Sequence, residues 1–131
     1  MNVALWAAQI FLALLFLVSG VAKGTWSKER LIASGQTGVE PFPLPVLRGT
    51  AACEVLAAAG LILPWATGIA PVLTPLAAVG LAIVMCGAIS SHVLLLRRNV
   101  RQGRGAAREA AAVASTVTLL AVCVFVAVGR F

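Results

Sequence analysis

"VALWAAQIFLALLFLVSGVA", residues 3–22, carries no charged side chain. Coiled as a helix at about 1.5 Å per residue it reaches about 30 Å, the thickness of a bilayer's hydrocarbon core. Its reading decides the fold, because three more apolar runs follow at about 45–63, 75–96 and 110–128. Composition agrees: 61% of the 131 residues are hydrophobic, 11% are charged and the mean hydropathy is +1.04. A soluble domain carries roughly 25% charged residues. The expectation is therefore an all-α polytopic membrane protein, a four-transmembrane-helix bundle forming a single domain over residues 1–131, with no soluble catalytic domain. A signal peptide is the weaker reading of the first run. No Lys or Arg precedes it and no small-residue cleavage site closes it.

Punctuation residues set the limits of the runs. Pro45 and Pro75 suit the first turn of a helix, where backbone N–H groups have no intrahelical acceptor anyway, and Thr74 is expected to cap the third span. Pro64, Gly68 and Pro71 are expected to break the second span from the third. In the first connection, "TWSKERLIASG" is expected to hold a short interfacial helix at about 26–34, capped by Ser27 or Thr25 with Trp26 at the membrane surface, and "EPFPLP" to run extended into the second span.

Charge orients the bundle. Of the ten Lys and Arg, only Arg130 lies apart from the ends and connections that hold Lys23, Lys28, Arg30, Arg48, Arg97, Arg98, Arg101, Arg104 and Arg108. The positive-inside bias places loops 23–44 and 97–109 in the cytoplasm and both termini outside. The net charge of +6 marks topology rather than nucleic-acid binding, since no aromatic or Gly-rich nucleic-acid motif accompanies the basic residues. The run "RRNVRQGRG" reads as a flexible topology anchor that also meets anionic headgroups.

Against this background Glu54 stands out. It lies nine residues after Pro45, about 13 Å into the membrane. An ionised side chain near the bilayer centre costs about 2.5–3.5 kcal/mol, and the span offers seven large aliphatics (Val46, Leu47, Val55, Leu56, Leu61, Ile62 and Leu63) at about 0.3–0.6 kcal/mol each. The terms nearly cancel, so the second span needs neighbours that receive the acid. Lys23 and His92 lie at the same depth, with Ser19 one turn before Lys23 and Phe16 and Gly20 beside them. These six residues form the candidate ligand site. Lys23 as a snorkelling end residue, His92 as a polar end residue and Glu54 as a structural interhelical hydrogen bond remain the alternatives.

The other polar residues point elsewhere. Gly20 with Gly24, and Gly80 with Gly87, are read as close-approach surfaces between helices, and Ser115, Thr116 and Thr118 as bonding their own backbone. Cys53, Cys86 and Cys123 show no C-x-x-C spacing and read as small hydrophobes, with a contact between Cys53 and Cys86 left open. One histidine and no carboxylate cluster argue against haem or a metal. No nucleophile and base pair can be assembled, so an autonomous enzyme is not expected.

"FLVSGVAK" (16–23) resembles the F-x-x-x-G-x-x-K signature of the DoxX family, and "EVLAAAGLILP" (54–64) and "GAISSH" (87–92) are similar to that family's second and third helices. The resemblance covers nearly the whole chain and places Phe16, Gly20, Lys23, Glu54, Gly87, Ala88 and His92 on matching positions. Ala51 departs from it: many relatives have glycine there, and Gly49 is expected to substitute. The resemblance implies a membrane subunit or accessory of an oxidoreductase system, such as thiosulfate to quinone electron transfer or thiol homeostasis. No covalent cofactor is expected. The ligand would be a quinone or a lipid, and the partners the lipid bilayer, a redox enzyme docked on the cytoplasmic face and, as an open option, a second copy in a homo-oligomer; nucleic acid is not among them. A protein that binds or transports a small lipophile, and a purely structural subunit, are the competing readings.

Overall fold

In the computed structural model, residues 2–34 and 36–131 are described. Met1 and Gly35, which closes the stretch expected to form the interfacial helix, lie outside them. The elements are α1 (Asn2–Thr25), α2 (Lys28–Ala33), a 3-10 turn (Thr37–Val39), α3 (Leu44–Thr67), α4 (Leu73–Arg101) and α5 (Ala107–Arg130), with no strand among the described residues. Four of these helices are long and apolar enough to cross a membrane. Large apolar side chains also face outward along all four, among them Val3, Leu14, Val18, Leu56, Leu63, Ile83, Leu94, Val117 and Val128. Helices apolar on their outer faces as well as their inner ones suit lipid rather than water. The chain is a multi-pass membrane protein folded as an all-α four-helix bundle.

The bundle is built from two tight pairs, α1 with α3 and α4 with α5. Gly20 makes the first pair possible: a Cβ there would lie 2.8 Å from Val55 Cγ2 and 3.0 Å from the Ala51 carbonyl oxygen. Glycine on α1 thus provides the close approach at Ala51, and Gly49 does not substitute, having no atom within 4 Å of its would-be Cβ. Gly80 and Gly87 also face open space, so they are not the close-approach surface expected from their spacing. That role on α4 falls to Ala77, which Gly60 of α3 meets. Leu12, Phe16, Leu61, Ala78, Leu81, Met85, Cys123 and Val126 form the core that joins the pairs.

Three expectations about helix ends are corrected. Pro64 does not end the second span: α3 runs through it to Thr67 and stops at Gly68, whose φ of 72° is the left-handed conformation glycine adopts freely. Proline at 64 deprives the Gly60 carbonyl of its i+4 donor. The Thr74 hydroxyl supplies the missing bond, donating to Gly60 O at 3.0 Å. Thr74 is therefore not a cap; α4 begins earlier, at Leu73, and Thr74 is a buried crosslink between α4 and α3. At its other end α4 continues through "RRNVR" to Arg101, so the flexible connection shrinks to the residues around Gly103, which has φ 68°.

Residues 26–34 and 36–43 cross the end of the bundle that carries most of the basic side chains. Ser27 caps α2 by accepting from Arg30 N at 3.2 Å, and the Arg30 guanidinium lies 4.2 Å from the Trp26 ring centroid. Leu31 and Val39 pack with Ala22 and Leu47 in a second small core. "EPFPLP" bends rather than running extended throughout, with extended backbone at Pro43 (φ −69°, ψ 155°) just before α3. Glu40 bonds Arg98 at 2.8 Å, and this guanidinium holds the carboxyl below its ordinary range.

Candidate functional site

Glu54 is fully buried on the face of α3 that meets α1. α1 brings two donors to it, one turn apart: Lys23 Nζ donates to Oε1 at 2.9 Å and Ser19 Oγ to Oε2 at 3.2 Å. Both carboxylate oxygens are therefore met, as a buried charge requires. Lys23 keeps 16% of its side chain exposed. The same turn is anchored from α3, where Arg48 Nη1 donates to Lys23 O at 2.7 Å and satisfies a carbonyl that the helix end leaves free.

His92 has a different acid for its partner. Its Nδ1 pairs with Glu109 Oε2 at 2.8 Å, and Thr37 donates to Glu109 Oε1 at 2.6 Å. Ser91, beside it, donates to Gly38 O. Gly38 lies against the imidazole so closely that a Cβ would sit 2.7 Å from Nε2. His92, Ser91 and Glu109 thus fasten the 3-10 turn across the end of α4 and α5. Glu109 falls outside a site read from the apolar spans, because it precedes the hydrophobic stretch of α5. The available signal was that a chain with four acids placed one at the head of a span.

Between the two polar groups lies a cavity of about 580 Å³. Phe16, Ser19 and Lys23 line it from α1, Glu54 from α3, Met85 and His92 from α4, and Val39 and Phe42 close it at the basic end. Five of the six residues singled out in the sequence face this space. Gly20 does not, since it is spent on the α1–α3 contact. The three cysteines are free; Cys53 and Cys86 are exposed and Cys123 is buried in the core. Ser115, Thr116 and Thr118 each donate to their own helix, at Ala111, Ala112 and Val113, and Ala114.

The DoxX-like family matches residues 7–126, a stretch that takes in most of each of the four spans and every polar group just described. The chain belongs to the DoxX-like family. Comparison with curated proteins and with solved structures gave no match. In this DoxX-like chain the residues of the "FLVSGVAK" motif divide their work: Gly20 brings α3 close, and Ser19 and Lys23 hold the acid that α3 then presents.

A second polar cluster occupies the far end of the bundle. Arg130 is buried, donates from Nε to Gln9 Oε1 at 2.7 Å and from Nη1 to Asn2 Oδ1 at 2.8 Å, and lies 4.4 Å from the Trp65 ring centroid. Gln9 in turn donates to Leu61 O. This cluster fastens α5 to α1 and α3.

Proposed function

We propose that this DoxX-like protein holds a neutral lipophile with a carbonyl- or hydroxyl-bearing head, a quinone foremost, in the cavity beside Glu54. It does so as the membrane subunit of a redox system whose enzyme docks on the basic end of the bundle. The observation that carries this reading is the charge balance of the cavity. Lys23 is offset by Glu54, and Glu109 faces His92, so the polar lining offers hydrogen bonds without a surplus cation. An anionic phospholipid head would meet the Glu54 carboxylate there and a Lys23 ammonium already paired with it. A quinone head meets the unused donors of an ammonium, which has three and gives one to Glu54. The apolar lining and the volume suit such a ring, because small-molecule sites are mostly apolar spaces of about 300–1,000 Å³ with few polar groups.

In this role Lys23 binds and orients a carbonyl oxygen, Ser19 keeps the Glu54 carboxylate aimed at Lys23, and Glu54 holds the charge that keeps the ammonium at this depth. When bound, a quinone would supply the electron-carrying chemistry, and the partner enzyme would supply the electrons. The excess of Lys and Arg at one end supports a cytoplasmic position for that end in a bacterial inner membrane.

The test is a titration of the purified protein in nanodiscs with a short-chain benzoquinone or naphthoquinone, alongside quinone-linked activity of membranes with and without the chain. Saturable binding weakened by at least about tenfold in Glu54→Gln, a change of about 1.4 kcal/mol, is expected, with activity lost on deletion. Absence of saturable binding by the wild type, with activity unchanged by deletion, rejects the reading.

A further inference from the structure

The two helix pairs are not held together evenly along their length. The hydrogen bonds between α1 and α5, and the close contact of Leu5 with Gly129, where a Cβ would collide with the leucine, sit at the end far from Lys23, with Asn2 and Gln9 bonded to Arg130. The α3–α4 crosslinks, Gly60 with Ala77 and Thr74 with Gly60 O, sit toward the same end. Near the basic end the bridging is done by residues 37–40 instead, through Glu109, Ser91 and Arg98. The bundle is therefore closed at one end by its own helices and at the other by a strap, with the cavity between.

Register identifies which seam parts. Leu5 and Ser19 are 14 residues apart (19 − 5), as are Ser115 and Gly129 (129 − 115), and 14 residues make about four turns, so each pair shares one flank of its helix. α1 and α5 meet at Leu5 and Gly129 and run antiparallel, which sets Ser19 opposite Ser115 and Leu15 opposite Leu119. All four line the cavity. The flank that touches at one end is thus separated at the other. On α1, Leu15 and Val18 lie on the side turned away from Gly20, the residue that meets α3. They are open to the surroundings, Val18 at 69% and Leu15 at 38%, and Ser115 is exposed across from them. On the α3–α4 side, Val39 and Phe42 of the strap add to the cavity wall next to Val46.

We infer that the seam between α1 and α5 is a lateral slot to the bilayer, and that the ligand is a long-chain lipophile whose tail leaves through this slot while its head reaches Lys23. This rests on the ligand reading above and narrows it to a chain-bearing class, such as an isoprenoid quinone. A head with no tail needs no opening to lipid. A tailed one needs a seam that stays apart while its head is bound, and α1 and α5 provide one beside Ser19.

The experiment is photolabelling of the wild-type protein in nanodiscs with an isoprenoid quinone carrying a diazirine on its tail, followed by peptide mapping, with and without excess short-chain quinone. Adducts at Leu15, Val18, Ser115 or Leu119 that the competitor suppresses are expected. Competed adducts at Val46 or Gly87 would place the opening between α3 and α4 and overturn the inference. So would adducts that competitor leaves unchanged, spread over lipid-facing residues such as Phe11, Leu56 and Ile83. No competed labelling together with intact short-chain binding refutes the slot alone. Loss of both refutes the ligand reading and the slot with it.

Discussion

Replacing Lys23 should cost more than replacing Glu54, although the two residues form one ion pair. Lys23→Met leaves a fully buried carboxylate with Ser19 as its remaining donor, at 3.2 Å. Removing one partner of a buried pair costs about 3–5 kcal/mol, because the other charge is left uncompensated. Glu54→Gln instead leaves an ammonium that is already 16% exposed and ends a long flexible stem able to lift toward the interface. Its loss is closer to that of one charge-assisted hydrogen bond, about 1.5 kcal/mol at the low end of the range. The expected gap between the variants is therefore at least about 1.5 kcal/mol. Replacing both residues by Met and Leu should recover much of the Lys23→Met loss, since an apolar pair of similar volume carries no desolvation cost. Reversible unfolding in mixed micelles, followed by far-UV circular dichroism, measures all three. Equal losses for the single variants, or a double variant as unstable as Lys23→Met, would show that the burial asymmetry does not govern this pair.

Other outcomes follow from particular contacts. Gly20→Val should destabilise by about 1–3 kcal/mol, since even a Cβ meets Val55 and the Ala51 carbonyl, whereas Gly80→Ala, with open space around it, should stay within about 0.5 kcal/mol. Thr74→Val should cost about 1–3 kcal/mol by stranding the Gly60 carbonyl, and Pro64→Ala, which restores an N–H for that carbonyl, should reduce the cost in a double-mutant cycle. The Glu40–Arg98 pair depresses the carboxyl in the folded state, so its contribution is present above the unfolded carboxylate range and fades as pH falls through the lower folded value. Glu40→Gln should flatten that part of the stability profile, below the ordinary glutamate value of about 4.3, more visibly at low salt than at high.

Much of this architecture is legible in the sequence because membrane physics allows few alternatives. A charge-free run of bilayer length must be a helix, and an acid within a span must find polar neighbours at its own depth, which points to Lys23 and His92, with Ser19 one turn from Lys23; in the structure Lys23 and Ser19 are the donors. The reading lost ground where one helix alone does not decide the outcome. Pro64 looks like a stop until Thr74 from the next helix takes over its bond to Gly60. Gly80 and Gly87 are spaced as a packing stripe, but spacing does not say which face a neighbour will occupy, and theirs faces open space. His92 pairs with Glu109 rather than with Glu54, and Glu109 escapes a reading of the spans because it lies just outside the apolar stretch of α5. The buried Gln9–Arg130 link connects the two ends of the sequence and depends on bundle closure, which no local pattern encodes.

If the space beside Glu54 holds a neutral, chain-bearing lipophile, that lipophile should survive purification with the protein. The most direct measurement is mass spectrometry of an organic extract from protein purified out of its native membrane, with Glu54→Gln prepared in parallel and checked for normal folding. An isoprenoid quinone retained by the wild type in near-stoichiometric amount and lost from the variant is the expected result. An extract holding only bulk phospholipid, the same from both proteins, would contradict it and leave the Lys23–Glu54 pair as a packing device between α1 and α3.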